Sequence, residues 1–231
     1  MTDDATMNPV PVGLDDGYAY TKVALPNGRL IVIPSRGRTG QAGVTWIHQG
    51  QQRIFEYETE EAVYSVGAVD GAPTHFEGYP WSGLNRAITQ HALQEAGLAG
   101  RTLHAVSGLP VSAFYQKSGD RRQETITKKQ ESLKQSVHPI ADVLPAGIAF
   151  HEVIPEALAA WYDHVIVEKD DKALLDEKQL SGPVAIVDIG GRTTDYVVVK
   201  NQGILHASSG SLQCGMLDVK QQVANGIQER F

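Results

Sequence analysis

The sequence predicts an α/β protein of two lobes, each built on the same three-strand β-meander. Three observations predict it: one unit occurs twice, each copy ends its first strand in aspartate and turns on glycine, and helical patterns fill the interval. In the first copy, Val10–Leu14 runs into Asp15-Asp16-Gly17, Tyr20–Leu25 follows, and Pro26-Asn27-Gly28 turns into Leu30–Ile33. In the second, Val184–Val187 leads to Asp188 and Gly190-Gly191, then Tyr196–Lys200, the turn Asn201-Gln202-Gly203, and Ile204–Ala207. Val, Ile and Tyr at this density favour strands, and the glycines mark the turns of antiparallel hairpins. Repetition of the whole unit indicates an internal structural duplication, one meander per lobe.

The 231 residues suffice for one large domain or two lobes with their own cores. A hydrophobic fraction of 42% and a charged fraction of 20% are those of a globular chain. The net charge of −7 points to neither nucleic acid nor an anionic membrane surface as a direct partner. No run reaches the roughly 20 apolar residues needed to span a bilayer. The start, M-T-D-D-A-T-M-N-P, lacks the apolar core of a signal peptide. Cys214 is the single cysteine, so no intrachain disulfide is expected, and a reducing cytoplasm fits. Its plain reading is a small core or near-surface thiol.

Between the meanders, 34–80 reads as a small β-rich insertion, with short alternating runs at Val44–His48, Arg53–Tyr57 and Val63–Val66. Ser82 caps a predicted helix through about Ala96, with Leu84, Ile88, Ala92 and Leu93 on its apolar face and Gly97 as the stop. His91 within it reads as structural. Leu103–Val106 is a buried strand that leaves the sheet at Ser107-Gly108-Leu109-Pro110. Arg121–Val137 reads as a charged helix whose Lys128, Lys129 and Lys134 belong to a solvated face. Ile148–Val153 is a further strand, and Pro155 opens a helix at its first position, with Glu156 in the first turn. That helix, or a helix–loop–helix, is expected to continue through the polar stretch Glu168–Lys178. Leu217–Ile227 reads as the last helix.

A glycine turn exposes backbone N–H groups that wrap an anion, because no Cβ blocks the approach. A carboxylate beside such a turn makes sense when a divalent cation arrives with a phosphate, or in an ordinary hairpin whose aspartates serve the turn. Two such turns, one per lobe, are expected to face each other across a cleft and hold a polyphosphate with Mg²⁺. Asp15 and Asp188 then hold the hydrated metal. Asp16, Gly17, Tyr18, Gly190, Gly191, Arg192 and Thr193 line the phosphate turns. Lys22 reaches a phosphate as a point charge, or is simply a surface strand lysine. Glu156 is the candidate for orienting a water in hydrolysis, or an ordinary first-turn glutamate favoured by the helix dipole.

These residues resemble known motifs. V-G-L-D-D-G-Y-A-Y-T-K resembles the first phosphate motif of the actin-like ATPases, V-I-P-E-A-L-A-A-W their first connecting motif, and V-A-I-V-D-I-G-G-R-T-T-D their second phosphate motif. The D-D-G turn, the S-G-L-P exit and the Lys-rich helix after Tyr115 are most similar to the plasmid-segregation actins of the ParM/StbA type. The resemblance implies an actin-like, ribonuclease H-like fold whose lobes close on ATP (or GTP) and Mg²⁺. It implies head-to-tail filaments of the protein itself, destabilised by hydrolysis, with a DNA-bound adaptor protein at the filament end. By position, Glu156 and Asp188 are catalytic, Asp15 and Asp188 metal-side carboxylates, Lys22 a phosphate ligand, and Gly190, Gly191 and Thr193 the second phosphate turn.

Tyr18 and Arg192 depart from the small residues usual at those turn positions. Family members also continue into a glycine-rich adenosine loop, which does not follow Cys214. The expected division is therefore an N-terminal lobe over 1–178 and an incomplete C-terminal lobe over 179–231. Two other readings stay open: a small-molecule kinase or phosphatase of the same superfamily, and a non-catalytic truncated interaction module.

Overall fold

The computed structural model describes residues 8–43, 47, 54–69, 72–74, 76–170 and 172–230. The run expected at Val44–His48 lies, except for Ile47, outside the described residues, as does Arg53. The chain forms two compact units, Met1–Ser107 with Lys128–Glu152 and Gly108–Thr127 with Val153–Phe231. Residues 108–127 and 153–178 thus cluster with the second meander, whereas the sequence reading drew the lobe boundary at 178.

The chain opens with the expected meander: β1 (Val10–Asp16), β2 (Tyr20–Ala24) and β3 (Leu30–Pro34). The insertion supplies β4 (Arg36–Thr39), β5 (Ile54–Glu58), β6 (Val63–Gly67) and β7 (Ala72–Pro73). After α1 (Gly83–Glu95) come β8 (Thr102–Leu109), α2 (Val111–Phe114), α3 (Gln123–Lys134), β9 (His138–Pro139) and β10 (Gly147–Pro155). Then follow α4 (Glu156–Val165), β11 (Ile166–Lys169), β12 (Lys172–Leu175) and α5 (Glu177–Ser181). The second meander is β13 (Val184–Ile189), β14 (Thr194–Lys200), β15 (Gly203–Ile204) and β16 (Gly210–Leu212), and α6 (Met216–Gln228) comes last.

In the first unit a five-stranded sheet runs β10-β8-β1-β2-β3, with β1 antiparallel to β2 and parallel to β8. Its inner face, including Val12, Leu14, Val23, Leu103 and Ala105, packs on Ala92 and Leu93 of α1 and on its C-cap, Ala96. A second sheet, β7-β4-β6-β5-β9, builds another core of Tyr57, Tyr64, Val66 and Tyr79 on Leu84, Ala87 and Ile88 of the same helix. Helix α1 therefore serves two cores, and every residue from Gly83 to Leu93 is buried. An amphipathic helix with one apolar face was expected; burial all round requires its polar side chains to find partners. Several do: His91 Nδ1 meets the Tyr57 hydroxyl at 3.0 Å, and Arg86 pairs with Glu60 and with Glu61, while the Thr89 hydroxyl finds no partner among the described residues. Ser82 caps the helix by accepting the Asn85 N–H at 3.2 Å, and Gly97, at φ +80°, ends it.

In the second unit β13 and β14 form a hairpin in register, Asp188 opposite Asp195 and Ile189 opposite Thr194. Val197 and Val199 of β14 pack on Ala157, Trp161 and Val165 of α4. The turn at Asn201-Gln202 has both residues at positive φ, +50° and +61°, the backbone twist that suits a two-residue hairpin.

Four expectations change. The third strand of this meander is broken: only Gly203–Ile204 pairs near one end of β14, His206–Ser208 forms a tight helical turn, and β16 pairs with the other end. The stretch read as helix through Glu168–Lys178 is instead the β11–β12 hairpin followed by short α5. β-branched Ile166 and Val167 favour strand there, and Asp170 takes the left-handed turn at φ +53°. Pro155 is the N-cap, so Glu156 holds the first helical position. Lys129, expected on a solvated face, is 2% exposed. Among the described residues no helix is long and apolar enough to cross a membrane.

Candidate functional site

The first turn joins β1 to β2, and its two aspartates point to opposite faces because the strand alternates. Asp15, half-buried, stands directly opposite Lys22, and the two form an ion pair at 2.6 Å. Asp16, on the inner face with Leu14, is buried and pairs with the Nζ of Lys129, which also donates to the Pro80 carbonyl at 3.2 Å. The turn's carbonyls are held by side chains. Asn85 Nδ2 donates to the Asp16 oxygen at 3.2 Å, Ser35 Oγ to the Gly17 oxygen at 2.7 Å, and Thr74 Oγ1 to the Tyr18 oxygen. The Tyr18 ring packs on Tyr79 with centroids 5.2 Å apart, inside the second core of this unit.

Close to the Asp16–Lys129 pair, buried His151 bridges three elements. Its Nε2 lies 2.8 Å from Ser107 Oγ and its Nδ1 3.3 Å from the Gln130 carbonyl, so Nδ1 carries the proton and Nε2 accepts from the serine. Burial pushes the His151 pKa below the ordinary histidine value, the neighbouring Lys129 pushes the same way, and the Gln130 carbonyl opposes them.

The second turn, Gly190–Thr193, closes the β13–β14 hairpin. Its first amide is used internally, Gly190 N–H donating to the Thr193 carbonyl at 2.9 Å. Here too the carbonyls are tied back, by helix α6: the N–H groups of Met216 and Leu217 donate to Gly190 and Gly191 oxygens at 3.0 and 2.9 Å. Thr193 is buried, Arg192 half-buried, and Asp188 exposed at the end of its strand. Opposite it, Asp195 is 1% exposed and accepts the Val111 N–H at 2.7 Å and the Ser211 hydroxyl, so it anchors the start of α2. Glu156 is half-buried at the start of α4 and lies over Gly108 of the S-G-L-P exit, where an added Cβ would stand 3.2 Å from its Oε1.

A family model described as plasmid segregation protein ParM, N-terminal, matches residues 12–166, which is more than half of the chain. The chain belongs to the ParM plasmid-segregation family. A model of the archaeal actin homologue MreB-like, C-terminal, matches residues 186–231. No curated protein matches.

Solved structures similar to this ParM-family chain share its actin-like fold. The archaeal actin homologue Ta0583 aligns at TM-score 0.69 and 23% identity, over 96% of this chain and 67% of that one. Ta0583 has also been crystallised in complex with ADP. Actin-like protein Alp7A aligns at 0.70 and 15% identity, over 97% and 66%. A 15-stranded ParM filament from Clostridium botulinum aligns at 0.65 and 16%, over 97% and 70%. The chain spans about two thirds of the length of these proteins.

Within the first unit of this ParM-family chain, the structure gathers Asp15, Asp16, Gly17, Tyr18 and Lys22 at one turn. In the second it gathers Asp188, Gly190, Gly191, Arg192 and Thr193 at another. Asp15 in the first unit and Asp188 in the second each present carboxylate oxygens near a strand end, the hard ligand type that Mg²⁺ takes. The residues that sequence reasoning missed are those beneath the turns: Ser35, Thr74, Asn85 and Lys129 in the first unit, Asp195 and Gly215 in the second. Two of these carried a local signal: Gly215, a glycine two residues before the predicted helix, and Asp195, a carboxylate flanking the second turn across from Asp188.

Proposed function

We propose that this chain binds a nucleoside triphosphate, ATP or GTP, with Mg²⁺, that each of its two units carries a phosphate-binding turn, and that it hydrolyses the terminal phosphate. The observation that carries the proposal is the tying back of the carbonyls in each turn, by three side chains in one unit and by helix amides in the other. With its carbonyls held in this way, what a glycine turn has left to offer an anion is its remaining backbone N–H groups. The Asp15–Lys22 pair is half exposed, so its lysine can exchange the carboxylate for a phosphate. Asp15 in the first unit and Asp188 in the second are the carboxylates that would serve Mg²⁺, which would offset charge developing on the phosphate oxygens.

Glu156 is the general base of this reading. It orients a water and takes its proton as the water oxygen attacks the terminal phosphorus, while the bridging oxygen leaves with the diphosphate. The ADP complex of Ta0583 and the Clostridium botulinum ParM filament support nucleotide binding and self-assembly for this chain, the latter head-to-tail in this reading. In that reading the chain works in the cytoplasm and reaches DNA through a DNA-bound adaptor.

Calorimetry with ATP–Mg²⁺, phosphate release and light scattering test these points in turn. Binding by the wild-type chain is expected; its absence overturns the reading. Glu156→Ala is expected to retain binding and to lose phosphate release by about 10²-fold or more. Retained turnover removes Glu156 from its role. A protein that stays monomeric at high concentration with ATP–Mg²⁺ removes self-assembly.

A further inference from the structure

The first turn carries two adjacent carboxylates, an odd choice for a loop that is to receive phosphates. Each carboxylate has its own lysine, and the two pairs differ in solvent access. The Asp15 and Lys22 side chains are 47% and 46% exposed, so water or an anion can compete for either partner. The Asp16 and Lys129 side chains are 4% and 2% exposed, so that pair has no competitor. Lys129 reaches Asp16 from 113 residues away, and its second bond, to the Pro80 carbonyl, fixes the ammonium from the other side. Asn85 bonds the carbonyl of the same aspartate, so backbone and side chain of Asp16 are both anchored. A buried carboxylate without a countercharge would place a full negative charge, little screened, beside the groups meant to hold an anion.

We propose that Lys129 is a positioning residue of the first turn: it is the permanent countercharge of Asp16, which leaves Lys22 as the exchangeable cation for phosphate. The assignment rests on the phosphate-binding reading of that turn, although the hold of Lys129 on the turn can be measured without ligand. Lys129 touches no substrate in this scheme; it sets the turn's shape and cancels its inner charge.

The test compares Lys129→Met and Asp16→Asn in the full chain, by amide hydrogen exchange over residues 14–22 and by calorimetry with Mg²⁺–pyrophosphate. Both variants should lower the thermal midpoint, because each leaves a buried charge alone. Their effects on affinity should have opposite signs. Lys129→Met leaves an unmatched carboxylate and should weaken pyrophosphate binding by about tenfold or more, whereas Asp16→Asn leaves an unmatched ammonium and should tighten it about threefold. Local exchange over 14–22 should rise in Lys129→Met while that of α6 is unchanged. Losses of affinity of the same sign in both variants indicate a structural pair only and overturn the proposal, as does unchanged exchange at the turn. If Lys129→Met does not fold, Asp16→Asn decides: weaker binding by the folded variant overturns the proposal. If the wild type binds no Mg²⁺–pyrophosphate and no ATP–Mg²⁺, the functional reading fails, and the exchange comparison alone decides the hold of Lys129.

Discussion

Gly215 and Gly191 meet backbone to backbone. A Cβ on Gly215 would stand 2.5 Å from both the carbonyl carbon and the carbonyl oxygen of Gly191, and 2.6 Å from the Arg192 nitrogen. The next two amides, of Met216 and Leu217, donate to the turn's two glycine carbonyls. Thr194 Oγ1 closes the contact by donating to the Cys214 carbonyl at 2.7 Å. The start of α6 and the shape of the second turn are therefore one structural variable, and neither moves without the other.

Gly215→Ala is accordingly expected to separate them. The atoms in the way are backbone, not the tip of a flexible side chain, so the helix must shift and lengthen both amide–carbonyl bonds. Overpacking of this kind costs about 1–3 kcal/mol. A lower urea midpoint measures that cost. Weaker ATP–Mg²⁺ binding, measured by calorimetry, follows if the turn holds phosphate; unchanged affinity in a destabilised variant takes the turn out of the site.

Gly108 stands in the same relation to Glu156, with a softer obstacle. A Cβ there would collide with Glu156 Cγ, which can rotate away, so Gly108→Ala should fold with a change of less than about 1 kcal/mol. The displaced carboxylate should lower phosphate release by about tenfold or more while nucleotide binding persists, since a shift near 1 Å at a reacting group has effects of that order. Single-turnover kinetics with the folded variant make the comparison, and an unchanged rate contradicts the role given to Glu156.

What was legible in the sequence was local. The first meander, the hairpin of the second, their turns, the Ser82-capped helix and the last helix follow from strand propensity, glycine and capping residues within a few positions of each other. What was hidden depends on distance. A lysine in a run such as T-K-K-Q-E-S looks solvated until the fold sets α3 beside β1 and buries Lys129 against Asp16. The same holds for Ser35, Thr74 and Asn85, polar side chains with no motif of their own, which become part of the site only by reaching carbonyls of the first turn. The β11–β12 hairpin was missed for another reason: its charged residues suggested helix, and the β-branched pair Ile166-Val167 outweighed them.

Asp195 offers a prediction about packing. Its buried Oδ1 accepts two bonds, from the Val111 amide and the Ser211 hydroxyl. Asp195→Ala removes both and leaves a buried N–H without a partner, which costs about 2–4 kcal/mol. Asp195→Asn keeps an acceptor oxygen and should cost roughly half of that. Equal destabilisation of the two in urea unfolding would mean that the charge, not the acceptor, is what α2 needs.

His91 and His151, buried in the first unit, set a pH dependence with a definite sign. Burial is the main cause that lowers the pKa of both His91 and His151 below the ordinary value of 6.5, partly opposed by Glu95 at His91. The groups facing His151 are Lys129 and Lys134, which lower its pKa further, and Asp16 and the Gln130 carbonyl, which raise it. As pH falls below about 6.5, both histidines take up protons in the unfolded chain while they remain neutral in the fold, so the unfolded state binds more protons. Stability is therefore complete above that pH and declines beneath it, until the folded-state pKa values are reached. Each histidine contributes a slope of at most about 1.4 kcal/mol per pH unit. Urea midpoints taken at pH 7.5 and 5.5 should fall at the lower pH. His151→Gln, whose amide can still accept from Ser107, should flatten that decline by its share. A midpoint that rises on acidification would require the charged form of these histidines to be the one the fold prefers, contrary to their burial between Ser107, Gln130 and Tyr57.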